Sequence, residues 1–136
     1  MHESMGILRY SVDERHDIGH KLHVEVDPGI AETYRALVPK TVRLNKPRYA
    51  PHISVIRSEI VPRLDLWGKY EGQSVRFQYD SHIYNDETYY WLRVTCPILM
   101  FVRRELGLPS LSDLARPPDM AACFHTTFAN LKGNSV

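Results

Sequence analysis

One pattern occurs twice in this chain and restricts its fold more than any other feature. A run of β-composition leads into a helix opened by proline, then a loop, then a short strand with histidine two residues ahead of a hydroxyl. The first copy ends in Pro51-His52-Ile53-Ser54-Val55-Ile56-Arg57, the second in Phe124-His125-Thr126-Thr127-Phe128-Ala129-Asn130. Side chains on a strand alternate between faces, so His52 lies beside Ser54 and His125 beside Thr127. Two similar halves meeting at a pseudo-twofold axis would put both imidazoles and both hydroxyls in one cleft. Two histidines without a carboxylate or metal partner suit acid–base chemistry in which one takes a proton and the other gives one.

The intervening chain fits that frame. Gly6 to Val12 reads as a first strand and Asp13 to Gly19 as a polar turn or loop. Lys21 to Asp27 alternates Leu22, Val24 and Val26 against Lys21, His23 and Glu25, the pattern of a half-buried strand. Asp27 and Pro28 supply an N-cap and a first helical position; Ile30, Tyr34, Leu37 and Val38 form one apolar stripe, and Pro39 stops the helix. A basic loop with Lys40, Arg43, Lys46 and Arg48 runs into the His52 strand. Beyond Pro62, the residues Leu64, Leu66 and Trp67 mark a short turn packed on the body. Ser74 to Tyr84 and Tyr89 to Thr95 read as a hairpin turned by Asn85-Asp86-Glu87. Pro97 opens the second helix, with Ile98, Phe101, Val102 and Leu106 as its stripe and Gly107 and Pro109 as its stop. The loop from Ser110 to Met120 then leads to the His125 strand, and its length and position suit a lid.

Composition narrows the partners. The 136 residues are 43% hydrophobic, enough for one domain spanning 1–136 with a real core. A formal net charge of +1 gives no global field toward a membrane or duplex nucleic acid, so an anionic ligand must be small or held by a local basic patch. Met1-His2-Glu3-Ser4 has no signal pattern and no run approaches a membrane span, which points to the cytoplasm. Cys96 and Cys123 lack CxxC spacing and are expected to be reduced.

The motifs His52-Ile53-Ser54-Val55 and His125-Thr126-Thr127-Phe128 resemble the two His-hydrophobic-Ser/Thr-hydrophobic motifs of the 2H phosphoesterase superfamily. Position 126 departs from that pattern with a threonine in place of an apolar residue, so a less buried strand is expected there. Arg48-Tyr49-Ala50-Pro51-His52, Lys69-Tyr70-Glu71-Gly72, Tyr89-Tyr90-Trp91-Leu92 and Phe124-His125 followed by Ala129-Asn130 look like a phage branch of that family. That branch is the anti-CBASS nucleases, which degrade cyclic oligonucleotide messengers of bacterial immunity. The resemblance covers most of the chain from about Lys40 onward. It implies an α+β, two-lobed fold of antiparallel sheets with flanking helices and a pseudo-twofold cleft. It further implies a metal-independent, cofactor-free phosphodiesterase acting on 3′–5′ linkages of cyclic di- or oligonucleotides, in the host cytoplasm if the chain is phage-encoded. One histidine would deprotonate the neighbouring 2′-hydroxyl and the other would protonate the leaving 5′-oxygen. Ser54 and Thr127 would hydrogen-bond the non-bridging oxygens. An imidazole with a free pKa of about 6.5 serves either role, so the sequence leaves open which histidine is base and which acid.

Around this centre the residues have two readings. Arg48, Lys46 and Arg57 neutralise phosphate or are ordinary solvated charges. Tyr49, Trp67 and Tyr70 stack on bases or pack in the core. Trp91 shares its hairpin face with Tyr89 and Arg93 and lines the cleft or caps the core. Asn130 and Lys132 bind ligand or end the strand. His16, His20 and His23 have metal-like spacing, but no carboxylate or thiolate completes the set, and no metal is expected. Two rival functions remain: opening a 2′,3′-cyclic phosphate at an RNA end, and non-catalytic sequestration of cyclic nucleotides on the same scaffold.

Overall fold

A computed structural model describes residues 1–132. Its strands are β1 (His2–Val12), β2 (His20–Glu25), β3 (His52–Ile56), β4 (Ser74–Tyr79), β5 (Tyr84–Asn85), β6 (Tyr89–Thr95) and β7 (Phe124–Asn130); its helices are α1 (Pro28–Leu37) and α2 (Pro97–Glu105). A 3-10 turn at Leu64–Leu66 matches the short turn read after Pro62. The fold is α+β, one antiparallel sheet in the order β4-β1-β2-β3-β7-β6-β5 with flanking helices. Strand β4 also pairs with β6 through Gln78↔Thr95 and Tyr79↔Val94, which closes the sheet on itself.

Strand β1 begins at His2, not Gly6, because β4 runs alongside it from Ile7↔Ser74 to His2↔Tyr79 and holds the polar N-terminal residues in register. That pairing also revises the expected hairpin. Strand β4 stops at Tyr79, where the Asp80 carboxylate accepts the backbone N–H of His82 at 2.9 Å and turns the chain away. The arm opposite β6 is the short β5, joined by a turn in which Asp86 accepts from the backbone N–H groups of Thr88 and Tyr89. Local alternation marks these runs as strands, but it carries no information about which strand pairs with which.

Both helix starts follow the sequence. Asp27 Oδ1 caps the N–H of Gly29 at 2.9 Å, and proline opens each helix. Helix α2 ends in a Schellman arrangement, with Leu108 N–H bonded to Arg103 C=O and Gly107 N–H to Arg104 C=O. Gly107 takes φ +88, which an L side chain rarely adopts. The buried stripes are rotated from expectation. In α1 Ala31 and Tyr34 are buried, with Val38 just beyond, while Leu37 is exposed. In α2 the buried set is Leu99, Val102, Arg103 and Leu106, while Ile98 and Phe101 stand about half exposed.

Arg103 is the reason for the second rotation. Its guanidinium is completely buried and donates to Glu59 Oε1 (2.8 Å) and Oε2 (2.9 Å), to Val55 C=O (2.8 Å) and to Pro109 C=O (2.8 Å). A residue that composition assigns to the surface therefore points inward and turns Phe101 out. Burial raises the Glu59 pKa, but the hydrogen bonds and charge of Arg103 outweigh it and hold the carboxyl below its ordinary value.

The helices pack crosswise. Helix α1 follows β2 but lies on Leu92, Phe128 and Ala129 of β6 and β7. Helix α2 follows β6 but belongs to the larger core, with Leu22, Val24, Ile53, Val55 and Phe77. Each half of the chain thus covers the other. Thr126 is 4% exposed on this core side, opposite Ile53, so the strand is not less buried there as its hydroxyl had suggested.

Removing one partner of a buried, bidentate pair costs about 3–5 kcal/mol because the other charge stays buried alone. Arg103→Met should lose that much stability in urea denaturation, and adding Glu59→Gln should restore a large part of it. If the two losses simply add, the pair is not coupled.

Candidate active site

Strands β3 and β7, widely separated in sequence, are neighbours at the centre of the sheet and register at Ile53↔Thr126. Antiparallel pairing one residue to either side sets His52 across from Thr127 and Ser54 across from His125. Each histidine therefore faces the hydroxyl of the other motif. The two imidazoles are diagonal neighbours, with Cα atoms about 7–8 Å apart by sheet geometry, room for a tetrahedral phosphorus between them.

The surrounding registers extend this pair into two rows on the face away from the core. One row reads Arg9, His23, Ser54, His125, Arg93; the other reads Glu25, His52, Thr127, Trp91, Tyr84. His23, which the sequence offers only as one of three histidines at metal-like spacing, is the residue that the pairing adds to this face. Its ring meets that of His52 edge-on at 5.7 Å. Burial, then the charge of His52, lowers its pKa. The available signal was its parity in β2 opposite Leu22 and Val24, yet only pairing with β3 makes that face the motif face. His20 points to the other side, against Trp67, so the two histidines do not converge on a metal. Among the described residues no group of three or more His, Cys, Asp or Glu is placed to hold a metal ion.

Both motif strands carry a β-bulge at the same point. In β3, Leu22 faces Ile56 while His23 faces Ser54, leaving Val55 as the extra residue. In β7, Trp91 faces Thr127 while Tyr90 faces Ala129, leaving Phe128 as the extra residue. From the histidine onward both strands share one burial sequence, two alternations and then two buried residues in a row. A bulge resets the alternation, so Arg57 and Asn130 turn onto the histidine face. A guanidinium from a helix holds each bulge carbonyl. Arg103 of α2 donates to Val55 C=O, and Arg35 of α1 donates to Phe128 C=O, both at 2.8 Å.

The two histidines differ in surroundings. The Nδ1 of His52 lies 2.9 Å from Ala50 C=O; as the donor there it leaves Nε2 for proton exchange. His125 is covered by the loop from Ser110 to Met120, which is tied down by a 2.5 Å bond from Arg93 to Asp119 and buries Ala115 and Ser112. Burial, with the charges of His52 and Arg57 acting the same way, lowers the His125 pKa to about 4. Asp119 and the backbone of Ala115 oppose this more weakly.

The other expected contacts divide. The basic loop is stitched to the end of β7 by reciprocal backbone bonds between Asn45 and Asn130, at 2.8 and 3.0 Å. This brings the exposed Arg48 and Tyr49 to the approach to His52, with the Arg48 guanidinium 5.7 Å from the Tyr49 ring centroid. Trp91 shares the motif face but is 1% exposed, stacked beneath Tyr84 at 6.4 Å, so a ligand meets Tyr84 first. Trp67 is not brought to the histidines; it packs on Tyr10 and His20 on the core side. Tyr70 is likewise engaged elsewhere, donating to Glu105 at 2.9 Å. Cys96 and Cys123 are free thiols.

No known family model matches the chain, and neither a characterised protein nor a solved structure is significantly similar to it. No helix among the described residues is long and apolar enough to cross a membrane.

A histidine whose pKa is lower folded than unfolded binds fewer protons in the native state, so stability falls as pH drops from about 6.5 to about 4. The loss attributable to His125 is roughly 2–3 kcal/mol over that window. His125→Gln, neutral at every pH, should flatten that part of the urea-midpoint profile; an unchanged slope would mean the imidazole is solvated.

Proposed function

We propose that this protein is a metal-independent phosphodiesterase of the 2H type, hydrolysing 3′–5′ linkages of cyclic di- or oligonucleotides. The observation that carries this reading is the central pairing of β3 and β7, with each histidine across from the other motif's hydroxyl. The matched bulges and their two guanidinium holds support a two-lobed, pseudo-twofold relation between the halves. The anti-CBASS assignment rests on the sequence resemblance.

The surroundings of the histidines suggest their roles. His125, held neutral, is the base that takes the proton of the 2′-hydroxyl. The oxygen attacks phosphorus to form a 2′,3′-cyclic phosphate, and the bond to the 5′-oxygen breaks. Protonated His52, anchored at Nδ1 by Ala50, gives its Nε2 proton to that leaving oxygen. Ser54 and Thr127 donate to the non-bridging oxygens as negative charge grows on them, and Arg57 adds positive charge beside them. Water then opens the cyclic phosphate with the histidine roles reversed.

A panel of cyclic dinucleotides, cyclic trinucleotides and a 2′,3′-cyclic mononucleotide in EDTA tests the reading. Cleavage of the cyclic oligonucleotides should persist in EDTA and fall by about 10²–10⁴-fold in either His52→Ala or His125→Ala. Turnover of the 2′,3′-cyclic compound alone would move the function to RNA-end processing, and tight binding without product would make the protein a sponge.

The role assignment has its own readout. The acid limb of kcat/KM, which reports the free enzyme, should bend near the His125 value of about 4. A bend near 6.5 would overturn the assignment of His125 as base.

A further inference from the structure

Beyond His125 the motif face runs into a cavity that the mechanism does not use. It holds about 210 Å³ and is lined by Tyr79, Asp80, Tyr84, Arg93, Thr95 and Cys123, among others. Arg93 is directly across from His125, and Cys123 lies two residues before His125, just ahead of β7. The cavity therefore begins one pleat from the proposed base, roughly 7 Å away. That is the scale of a ribose separating a phosphate from its nucleobase. At about 30 Å³ per water the space takes roughly seven waters, or one flat heterocycle.

Its walls carry a specific set of groups. The Arg93 guanidinium lies 3.9 Å from the Tyr84 ring centroid, and Tyr84 stacks in turn on buried Trp91, so the wall is a layered, rigid platform. Asp80 presents a carboxylate, of which Oδ1 also accepts the His82 N–H. Among the described residues the buried Arg93 Nε has no hydrogen-bond partner, although the same guanidinium bonds Asp119 through Nη2. An unpaired buried donor costs about 1–3 kcal/mol.

We propose that this cavity is a nucleobase subsite that takes guanine, with Asp80 accepting the N1–H and N2–H of the base and the Arg93 guanidinium donating to O6. Guanine fits this donor set because its Watson–Crick edge places two adjacent donors beside a carbonyl acceptor. The subsite rests on the nucleotide reading above and adds to it a base preference and a direction, running from the scissile phosphate toward β6. Its walls come from β6, the segment just before β7 and the chain around Asp80 and Tyr84, away from the basic loop at Arg48 and Tyr49.

Thiol protection tests this without relying on turnover. Cys123 is partly exposed in the cavity wall, whereas Cys96 is buried, so iodoacetamide modification of the intact chain can be followed at Cys123 by mass spectrometry. Guanosine 5′-monophosphate at millimolar concentration should slow that modification about fivefold, following 1 + [L]/Kd. Ribose 5-phosphate should give no protection. Asp80→Asn, an isosteric change, should remove most of the protection, as should Tyr84→Ala. Equal modification rates with and without the nucleotide, equal protection by ribose 5-phosphate, or full protection in Asp80→Asn would each overturn the subsite. Protection by a protein that hydrolyses nothing would keep the subsite and lose the enzyme. Hydrolysis of cyclic dinucleotides without protection would do the reverse.

Discussion

A fully buried guanidinium is tolerable only where its donors find acceptors, and Arg103 finds Glu59 together with two backbone carbonyls. Much of the structure follows from that requirement. It rotates α2, turns Phe101 outward and fixes the chain after β3 through Glu59. At Val55 it reaches the bulge that separates the first histidine motif from Arg57. Helix orientation and site geometry are therefore coupled through one side chain.

The second half repeats the arrangement with a lighter hand. Arg35 is less buried than Arg103 and bonds the bulge carbonyl at Phe128. Because the helices pack crosswise, each guanidinium comes from the half opposite the motif it holds. Such interlocking makes the two motifs mutually dependent: moving either helix disturbs the other half's bulge. A reaction that needs two imidazoles on either side of one phosphorus benefits from this mutual constraint, since misplacement of either partner is costly to rate.

Much of the site was legible locally. Strand alternation put His52 with Ser54 and His125 with Thr127, and the similar setting of the two motifs suggested that they meet. Capping by Asp27, the proline starts and the Gly107 stop were also plain. What failed did so for definite reasons. Ile98 and Phe101 read as core because apolar periodicity cannot foresee that a buried arginine will set a helix's rotation, and Leu37 because only packing shows that α1 turns Ala31 and Tyr34 toward Leu92 and Phe128. Trp67 keeps two readings in the sequence, base stacking or core, because its neighbours Tyr10 and His20 are known only from packing. His23 reads from sequence only as one of three histidines at metal-like spacing, because its partner strand, and so its relation to His52, is a long-range fact.

The sequence by itself determined the elements and the chemistry they carry: which runs are strands, where helices start and stop, and which side chains share a face. These depend on backbone geometry and near neighbours, which a local pattern records. The tertiary structure decided which faces meet. It set the pairing of β3 with β7, the two bulges that turn Arg57 and Asn130, the burial that keeps His125 neutral, and the cavity beyond Arg93. Each of these depends on contacts between residues far apart in the chain, where burial and hydrogen-bond satisfaction are settled for the whole fold at once.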